Sequence, residues 1–396
     1  MSVNVSLNAM PASEPERPAA DWPEGPRPRR VLMTADTVGG VWTYAMELCR
    51  GLGPHGVEVT LAAMGDPVSD AQQAEVAHLG HVHLESLVGK LEWMDEPQAD
   101  VERAAEWLLA LAHRDQPDLV HLNSYAHAAL PWGVPVIVVA HSCVFTWWKA
   151  VLGGEPPSGF NGYARSLRAG VRAADRLVAP SRAFLEAFCE AHGFHPRAEV
   201  IYNGRDASAF RPAEKQPCFL SVGRLWDEAK NAAALARVAP DLPWPVRVAG
   251  SALSPDGQAP DLRNVELLGR CPPERVAQLM AEAAVYVLPA RYEPFGLSIL
   301  EAALSGCALV LGDIPTLREV WGDAAVYVSP GDIDALRERL TWLAHDATAR
   351  VALGVRARER AGCFGVDAMT RRYLEIYRDV LAPSASGVAP DAVFAT

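Results

Sequence analysis

Short runs of apolar residues, many of them β-branched, alternate along the chain with stretches of helical periodicity. Apolar runs of this length predict buried strands, and the stretches between them predict helices. Such an alternation is typical of crossover units that build a parallel sheet. In the first half we predict strands at 31–35, 57–63, 119–122, 134–140, 176–179 and 199–202, and helices at 41–52 and from about 181.

The same alternation restarts in the second half of the chain. We predict strands at 218–222, 245–249, 265–268, 285–288, 308–311 and 325–328, and helices from about 231, at 273–283, 296–305 and 332–343. The restart predicts two α/β domains, at 29–207 and 208–365, because 396 residues exceed the usual size of one domain. A last helix at 366–383 lies beyond the second sheet.

The two ends of the chain differ in composition from the rest. Residues 1–28 are rich in Pro, Ala, Ser and Glu, so we expect a disordered tail there and a second loose tail at 384–396. The N-terminus has no basic start followed by an apolar core, and no apolar run reaches the length of a membrane span. We therefore expect a cytoplasmic protein without a transmembrane segment, and leave peripheral membrane contact open.

Charge and cysteine content narrow the function classes further. With 36 basic and 48 acidic residues the formal net charge is −12, which disfavours nucleic acid as a partner. Seven cysteines are scattered singly, without a Cys-x-x-Cys pair, and this pattern indicates reduced thiols and not a disulfide framework or a zinc site.

The segment Glu293-Pro-Phe-Gly-Leu-Ser-Ile-Leu-Glu301 carries the strongest chemical signal, between a predicted strand and a predicted helix. The first N–H groups of a helix have no partner within it, and together with the helix dipole they favour an anion. We predict that N–H groups near Gly296, Leu297 and Ser298 bind a phosphate, leaving Glu293 for a sugar and Glu301 for a ribose. The alternative is that Glu293 and Glu301 have no ligand and only lie at the start and on the surface of a helix.

A second signal follows the first strand of the second half. Gly223-Arg224 and Lys230-Asn231 place two cations six residues apart, and we predict that they converge on one diphosphate. There they would stabilise the pyrophosphate leaving group as its charge develops. Taken alone, the pair is more typical of a solvated loop.

Two weaker signals lie in the first half. Asp36-Thr37-Val38-Gly39-Gly40 follows a strand, and Gly39 and Gly40 would let the backbone approach a phosphate, although a tight turn explains them as well. His141 directly follows the strand 134–140, at the carboxyl end of the strand, where ligands of parallel sheets bind. Its alternative is a hydrogen-bonded loop histidine.

Together these motifs resemble glycosyltransferase family 4, over roughly residues 30–382. The resemblance rests on Glu-Pro-Phe-Gly-Leu-x-x-x-Glu from 293, Gly-Arg-x-x-x-x-x-Lys-Asn from 223, the Gly-Gly loop, and Ile-Tyr-Asn-Gly at 201–204. It implies a GT-B fold, in which two Rossmann-like domains face each other across a cleft and the last helix crosses back to the first domain. One departure is that Gly312 stands alone before the Pro315-x-x-x-Glu319 segment, where relatives often carry two glycines.

The resemblance also implies roles for individual residues. Arg224 and Lys230 would hold the donor diphosphate, Glu293 the transferred sugar and Glu301 the ribose, while His141 would lie near the sugar 6-hydroxyl. The implied donor-binding set comprises Gly39, Gly40, Gly223, Arg270, Cys271, Phe295, Gly296, Leu297, Ser298 and Glu301. Candidate acceptor residues after first-domain strands are Asn123, Tyr125, Trp147 and Trp148, whose aromatic members suit core packing equally well.

The implied reaction retains the anomeric configuration and uses a nucleotide-diphosphate sugar, with GDP-mannose and UDP-glucose as leading donors. We expect front-face substitution without a cofactor, and an acceptor that is a saccharide, a lipid carrier or a small metabolite. Asp332-Ile333-Asp334 imitates the acidic metal motif of other sugar transferases, but it opens a helix, where acids favour the dipole. We therefore expect no metal site.

Three other functions compete with this hypothesis. A dehydrogenase would need a Gly-x-Gly-x-x-Gly turn after the first strand, which is absent. A sugar-nucleotide epimerase would isomerise its donor without an acceptor. A non-catalytic regulator on a transferase scaffold is disfavoured because Arg224, Lys230, Glu293 and Glu301 are all present.

Overall fold

The computed structural model describes residues 25–194, 196–254 and 257–382. The expected tails at 1–28 and 384–396 lie outside these ranges, apart from residues 25–28. The first sheet has seven parallel strands in the order β3-β2-β1-β4-β5-β6-β7. These strands are β1 Arg30–Asp36, β2 Glu58–Gly65, β3 Val82–Val88, β4 Leu119–Leu122, β5 Val136–Val139, β6 Arg176–Ala179 and β7 Ala198–Val200.

Helices pack on both faces of this sheet, and β1, β2, β4 and β5 are therefore buried on both sides. Residues that face opposite sides of the same strand, such as Leu32 and Met33, accordingly belong to two separate apolar clusters. The helices are α1 Gly40–Leu52, α2 Asp70–Ala77, α3 Gln98–Asp115, α4 Val144–Val151, α5 Asn161–Ala173 and α6 Arg182–His192.

The second sheet has six parallel strands in the order β10-β9-β8-β11-β12-β13. Its strands are β8 Gln216–Val222, β9 Val246–Ala249, β10 Glu266–Gly269, β11 Ala283–Leu288, β12 Ala308–Gly312 and β13 Val326–Val328. The helices after β8 are α7 Ala232–Val238, α8 Pro273–Glu282, α9 Leu297–Leu304, α10 Pro315–Trp321, α11 Ile333–His345, α12 Ala347–Ala361 and α13 Val366–Leu381.

The last helix, α13, returns to the first domain, as expected from the GT-B fold. Met369, Tyr373 and Tyr377 on α13 join the apolar cluster formed by β1, β2 and α1. A hydrogen bond of 2.7 Å also joins Tyr377 Oη to Nδ1 of the buried His121 in β4. Burial of this apolar face therefore fixes the C-terminal helix on the first domain.

The sequence analysis missed β3 and the helices α2, α3, α4, α5, α10 and α12. Strand β3 lies at the edge of its sheet, and His83 and Ser86 there are exposed. An edge strand is covered less completely than a central one, so its residues do not form an apolar run. No helix within the described ranges combines the length and the apolarity needed to cross a bilayer.

In both sheets the strand order reverses next to the first strand. In the first sheet the reversal lies between β1 and β4, and in the second it lies between β8 and β11. Crossover helices on either side of such a point diverge and leave a crevice at the carboxyl ends of the strands, where ligands of open α/β sheets bind. The loops after these four strands are therefore the first place to look for a site.

Candidate functional site

The loop after β1 forms the first-domain side of the candidate site. Thr37 Oγ1 donates to the carbonyl of Asp66 at 2.9 Å and holds the turn that leads to Gly39. Gly39 has φ +90°, a conformation that strongly favours glycine. A Cβ built on Gly39 would lie 3.6 Å from Arg224 Nη1, and one on Gly40 would lie 3.5 Å from Leu297 Cδ1. Both glycines thus face the second domain at close range.

Asp36 ends β1 in the same loop, and its Oδ1 accepts a hydrogen bond of 3.3 Å from Val38 N. Burial raises the pKa of Asp36 to about 7, although nearby Arg224 and the Val38 hydrogen bond act in the opposite direction. This carboxyl therefore changes charge close to neutral pH, at the cleft end of a central strand.

His141 follows β5 and is held by Asn123, which follows β4. Asn123 Nδ2 donates to the carbonyl of Thr34 at 2.5 Å, so its Oδ1 faces His141 Nε2 at 2.7 Å. Because an amide oxygen only accepts, Nε2 of His141 carries the proton and Nδ1 is a hydrogen-bond acceptor. Burial lowers the pKa of His141 to about 3, so the ring is neutral, and its edge packs on Tyr44 at 4.4 Å between ring centroids.

On the second-domain side, Arg224 follows β8 and Gly223. Its Nη2 donates to Oδ2 of the buried Asp227 at 3.2 Å, and its guanidinium carbon lies 5.5 Å from the ring centroid of Trp226. Asp227 is fixed in turn by the backbone N–H of Ala229 at 3.0 Å. The guanidinium is therefore oriented from two directions toward the Gly39 loop.

Lys230 lies at the end of a 3₁₀ turn, and its Nζ forms an ion pair of 2.5 Å with Glu293 Oε2. Both side chains are largely buried, at 18% and 12% exposure. The next residue, Asn231, adopts φ +56° and donates from Nδ2 to the carbonyls of Pro289 and Pro330, both at 2.9 Å. Asn231 thus ties the loop after β8 to the loop after β11.

Helix α9 begins beside this ion pair. Gly296 precedes it with φ +92°, and its carbonyl accepts from the N–H groups of Ile299 and Leu300, both at 3.1 Å. A Cβ on Gly296 would lie 2.6 Å from Ile299 Cδ1, the end of a flexible side chain, so the positive φ is the main reason for glycine there. The N–H groups of Leu297 and Ser298 stand in the first turn, where the helix itself offers no acceptor.

Glu301 is one turn further along α9 and is bound by a residue that the sequence analysis did not single out. Arg205 Nε donates to Glu301 Oε1 at 2.8 Å, while Nη1 of the same guanidinium pairs with Glu47 on α1. Burial raises the pKa of Glu301 and Glu47 adds to the rise, whereas Arg205 opposes it. Arg205 thereby joins one carboxylate from each domain.

Several other residues bridge the two domains. Trp147 Nε1 donates to Asp227 Oδ1 at 3.0 Å, and a hydrogen bond of 2.9 Å joins Tyr292 Oη to Thr146 Oγ1. Ser181 Oγ donates to the carbonyl of Pro294 at 2.7 Å. These bonds bring the loops after β8 and β11 against α4 and the start of α6, so the two sides of the site form one cleft.

Two predicted side chains lie in the core and not in the cleft. Tyr125 is buried, stacks on Phe188 and donates to the carbonyl of Ser142 at 2.7 Å, which corrects our expectation that its ring meets an acceptor. Phe295 is buried against Tyr202 and Phe364, so only its backbone can face a donor.

The remaining candidates lie nearer the surface. Arg270 is exposed and Cys271 is half-buried in the loop after β10, on the far side of β9 from β8. Trp148 is half-buried and packs on Phe160 at 5.9 Å between ring centroids. Asn123 supports His141, so its amide is already used on both sides.

The sequence analysis missed Asp227, Arg205 and Tyr292. Asp227 had a signal, since it stands between Arg224 and Lys230, the two cations that were predicted to converge on a diphosphate. Arg205 follows the Ile-Tyr-Asn-Gly segment directly. The contacts of Arg205 to Glu47 and Glu301 span 158 and 96 positions, and no local pattern announces them.

A metal site is not apparent in the described residues, where no group of three or more His, Cys, Asp or Glu side chains is placed to bind an ion. Asp332 precedes α11 and accepts from Ala335 N at 2.9 Å, which is the helix-capping role expected from the sequence.

Two family models match consecutive parts of the chain. Residues 38–209 match the model described as Glycosyltransferase Family 4, and residues 205–360 match the model described as Glycosyl transferases group 1. The two matches meet at 205–209, between the last strand of the first sheet and the first strand of the second. Jointly they span both sheets and most of the residues assigned to the site.

Individual relatives agree with these models. The chain is 27% identical over 398 residues to D-inositol 3-phosphate glycosyltransferase of Kineococcus radiotolerans, with 86% of this chain and 90% of that protein covered. It is 28% identical over 299 residues to alpha-maltose-1-phosphate synthase of Mycolicibacterium smegmatis, with 64% and 76% covered.

Solved structures share the fold. Sucrose-phosphate synthase from Thermosynechococcus elongatus superposes with a TM-score of 0.77 at 19% identity, covering 89% of this chain and 99% of that one. The Anabaena protein Alr3699/HepE in complex with UDP-glucose gives 0.69 at 18% identity, covering 88% and 98%. At these sequence identities, the structural similarity shows a shared fold and no more.

Proposed function

Because this chain belongs to the family 4 glycosyltransferases and has their GT-B fold, we propose that it transfers a hexose from a nucleotide-diphosphate sugar with retention of the anomeric configuration. The main support for this proposal is that Lys230, Glu293 and the start of α9 lie together at the carboxyl ends of adjacent strands. Arg224 faces Gly39 across the cleft. This grouping offers two cations and free helix N–H groups to one anion.

In this proposal the donor diphosphate lies between Arg224, Lys230 and the N-terminus of α9. A guanidinium, an ammonium and backbone N–H groups all donate, which suits phosphate oxygens. Phosphate binding would draw Lys230 partly away from Glu293 and leave that carboxylate to accept from sugar hydroxyls. His141 is neutral, and its Nδ1 would accept a hydrogen bond from the 6-hydroxyl of the sugar.

The nucleoside would lie toward β9 and β10. Glu301 is the ribose ligand in this proposal, and Arg205 occupies only one of its two oxygens. Backbone groups around Gly269, Arg270 and Cys271 would meet the base. GDP-mannose and UDP-glucose are the donors to test first, and the Anabaena neighbour was crystallised with UDP-glucose.

Retention follows most simply from front-face substitution. The acceptor oxygen forms a bond to the anomeric carbon while the bond from that carbon to the β-phosphate oxygen breaks, and the acceptor proton passes to the departing diphosphate. Arg224, Lys230 and the α9 N-terminus stabilise the charge that develops on the leaving group. Glu293 forms an ion pair of 2.5 Å with Lys230, and this suits a residue that binds the sugar better than a residue that attacks it as a nucleophile.

Activity in this proposal needs no divalent cation, because Arg224 and Lys230 supply the positive charge at the diphosphate. The test is transfer in the presence of excess EDTA. Turnover within about twofold of the untreated enzyme supports the proposal. Loss of turnover that manganese or magnesium restores would contradict it.

The decisive experiment measures nucleotide release and product formation with a panel of nucleotide-diphosphate sugars. Donor binding is followed separately by thermal shift, because a ligand specific for the native state raises its stability. Removing one preorganised charge from a developing anion typically costs about 100- to 1,000-fold in kcat, so Lys230→Ala should lose at least about 100-fold. Arg114→Ala, on the surface far from the cleft, is the matched control.

The same experiment separates the competing functions. Donor binding without nucleotide release would indicate a regulator. Donor isomerisation without an acceptor would indicate an epimerase. An inverted anomeric configuration in the product would reject retention but keep the transferase function.

A further inference from the structure

A cavity lined by first-domain residues opens beside the Gly39 loop. It lies under the carboxyl ends of β1 and β4 and is closed by the loop after β3 and the start of α3. Asp36, Lys90, Glu92, Trp93, Asn123 and Ser124 are among its lining residues. Asp36 belongs to this cavity and also to the loop that approaches Arg224, so a molecule bound here would meet the donor sugar.

Most charged groups around the cavity already have partners. Arg103 Nη2 donates to Asp100 Oδ1 at 2.6 Å and to the carbonyl of Val88 at 2.7 Å. Both oxygens of Glu92 are used by backbone N–H groups, with Tyr125 N at 2.9 Å and Ala126 N at 2.7 Å. These bonds build the wall of the cavity, and they offset the charge of Arg103 and fill the acceptor positions of Glu92.

At the carboxyl ends of β1 and β4, the groups that remain toward a ligand are hydrogen-bond acceptors. Within the described chain, Asp36 receives a single hydrogen bond, from Val38 N at 3.3 Å, which leaves Oδ2 for a ligand. His127 Nε2 donates to the carbonyl of Val101 at 3.2 Å, so its Nδ1 accepts from Ser124 Oγ at 3.3 Å. Ser124 Oγ therefore still has lone pairs that can accept a hydrogen bond from a ligand.

Resting on the transferase activity proposed above, we propose that this cavity is the acceptor site and that it takes an uncharged, polyhydroxylated molecule, a saccharide or cyclitol. One ring hydroxyl donates to Asp36 Oδ2 and another to Ser124 Oγ, while the half-buried indole of Trp93 packs on the apolar face of the ring. A different hydroxyl attacks the donor sugar and gives its proton to the leaving diphosphate.

A phosphorylated acceptor fits this lining poorly. A phosphate dianion is an acceptor only, and here it would meet the carboxylates of Asp36 and Glu92. The charge of Arg103 is offset by Asp100, which pairs with its Nη2, and burial holds the pKa of His127 below its usual value, so that ring brings no charge. Lys90 stands at the exposed rim, with Nζ bonded to the carbonyl of Asp95 at 2.9 Å.

The first test compares matched acceptors with the donor that the enzyme turns over. Glucose, maltose and myo-inositol are each paired with a phosphate monoester of the same ring. We expect the preferred neutral acceptor to exceed its phosphate ester by at least about 10-fold in kcat/KM. Higher activity with a phosphate ester overturns the proposal, and so does donor binding without transfer to any neutral member. Failure to bind any donor would instead reject the transferase function itself.

The second test places the acceptor at Asp36. Asp36→Asn should raise the acceptor KM at least about 10-fold, with donor affinity and kcat within about twofold, and Glu106→Gln on the exposed face of α3 is the control. Because burial raises the pKa of Asp36 to about 7, the wild-type acceptor KM should rise as the pH falls through 7, and Asp36→Asn should abolish this dependence. An unchanged acceptor KM, or a loss of donor affinity instead, would overturn the assignment.

Discussion

Trp147 Nε1 donates a hydrogen bond of 3.0 Å to Asp227 Oδ1 across the cleft between the two domains. Trp147 belongs to α4 of the first domain, whereas Asp227 lies in the loop after β8 of the second. The other oxygen of Asp227 accepts from Arg224 at 3.2 Å. The carboxylate that orients Arg224 is thus itself held from the opposite domain, so closure of the cleft and the position of this guanidinium are linked.

Trp147→Phe tests this link, because it keeps an aromatic ring and removes the N–H donor. A hydrogen bond to a charged group contributes about 1.5–3 kcal/mol, so we expect donor kcat/KM to fall by roughly 10-fold or more. Trp342→Phe, on the partly exposed face of α11, is the control. A Trp147→Phe enzyme with wild-type donor kinetics would show that the bond does not position Arg224.

Glu319 forms another interdomain contact, at the N-terminus of α6. Its two oxygens accept from Arg182 N at 2.8 Å and Ala183 N at 2.6 Å, and Tyr202 Oη donates to it at 2.8 Å. The first N–H groups of a helix need such partners, and an anion there also favours the helix dipole. The residue that the sequence analysis placed in an atypical Pro-x-x-x-Glu segment therefore caps a helix of the other domain.

Glu319→Ala should lower the free energy of unfolding by about 2 kcal/mol, because two helix N–H groups and a tyrosine hydroxyl lose their acceptor. Chemical denaturation measures the change, with Glu338→Gln on the exposed face of α11 as the control. A loss no larger than that of the control would mean that water replaces the carboxylate without cost.

Local patterns in the sequence sufficed for much of this architecture. The two restarting series of apolar runs predicted both parallel sheets, and the strand–loop–helix setting of Glu293 predicted where α9 begins. The edge strand β3 was missed because its exposed positions break the apolar run. Tyr125 was misassigned because an aromatic ring after a strand has the same local pattern whether it faces a cleft or Phe188 in the core.

Contacts between distant parts of the chain could not be predicted in this way. Trp147 and Asp227 are 80 positions apart, and Arg205 meets Glu47 and Glu301 on two different domains. Their partners depend on how the two sheets face each other, which no run or spacing encodes. Asp36 is a similar case, since its raised pKa arises from burial at the carboxyl end of β1.

Arg205 provides a test of how tightly the two domains are joined beside Glu301. Its guanidinium pairs with Glu301 and Glu47, and the three side chains are only 2–16% exposed. Replacing one member of a buried ion cluster leaves uncompensated charge, which typically costs about 3–5 kcal/mol. We therefore expect Arg205→Met to lower the free energy of unfolding by about 3 kcal/mol.

Glu301→Gln in the Arg205→Met background is the matched second variant, because it removes one of the two carboxylates left facing each other. The double variant should recover part of the lost stability, and a double-mutant cycle gives the coupling between the two residues. Strictly additive losses would show that Arg205 and Glu301 do not depend on each other.

His121 makes stability depend on pH in a way that a single substitution can isolate. It is fully buried between Tyr44 and Tyr377, and burial lowers its pKa from 6.5 to about 3, with His141 adding to the shift. Below pH 6.5 the unfolded chain takes up a proton at this residue, while the native protein does not until about pH 3. The native state therefore loses about 1.4 kcal/mol per pH unit as the pH falls through this window.

Other groups oppose this trend, since the raised pKa of Asp36 favours the native state as the pH falls from 7 toward 4. The comparison must therefore be the difference between wild type and His121→Gln, in which the contribution of Asp36 cancels. Below pH 6 this difference in the free energy of unfolding should shrink by roughly 1 kcal/mol per pH unit, as measured by urea denaturation. His113→Gln, on the exposed end of α3, should track wild type at every pH. A difference that stays constant between pH 7 and 4 would mean that His121 is protonated in the native core.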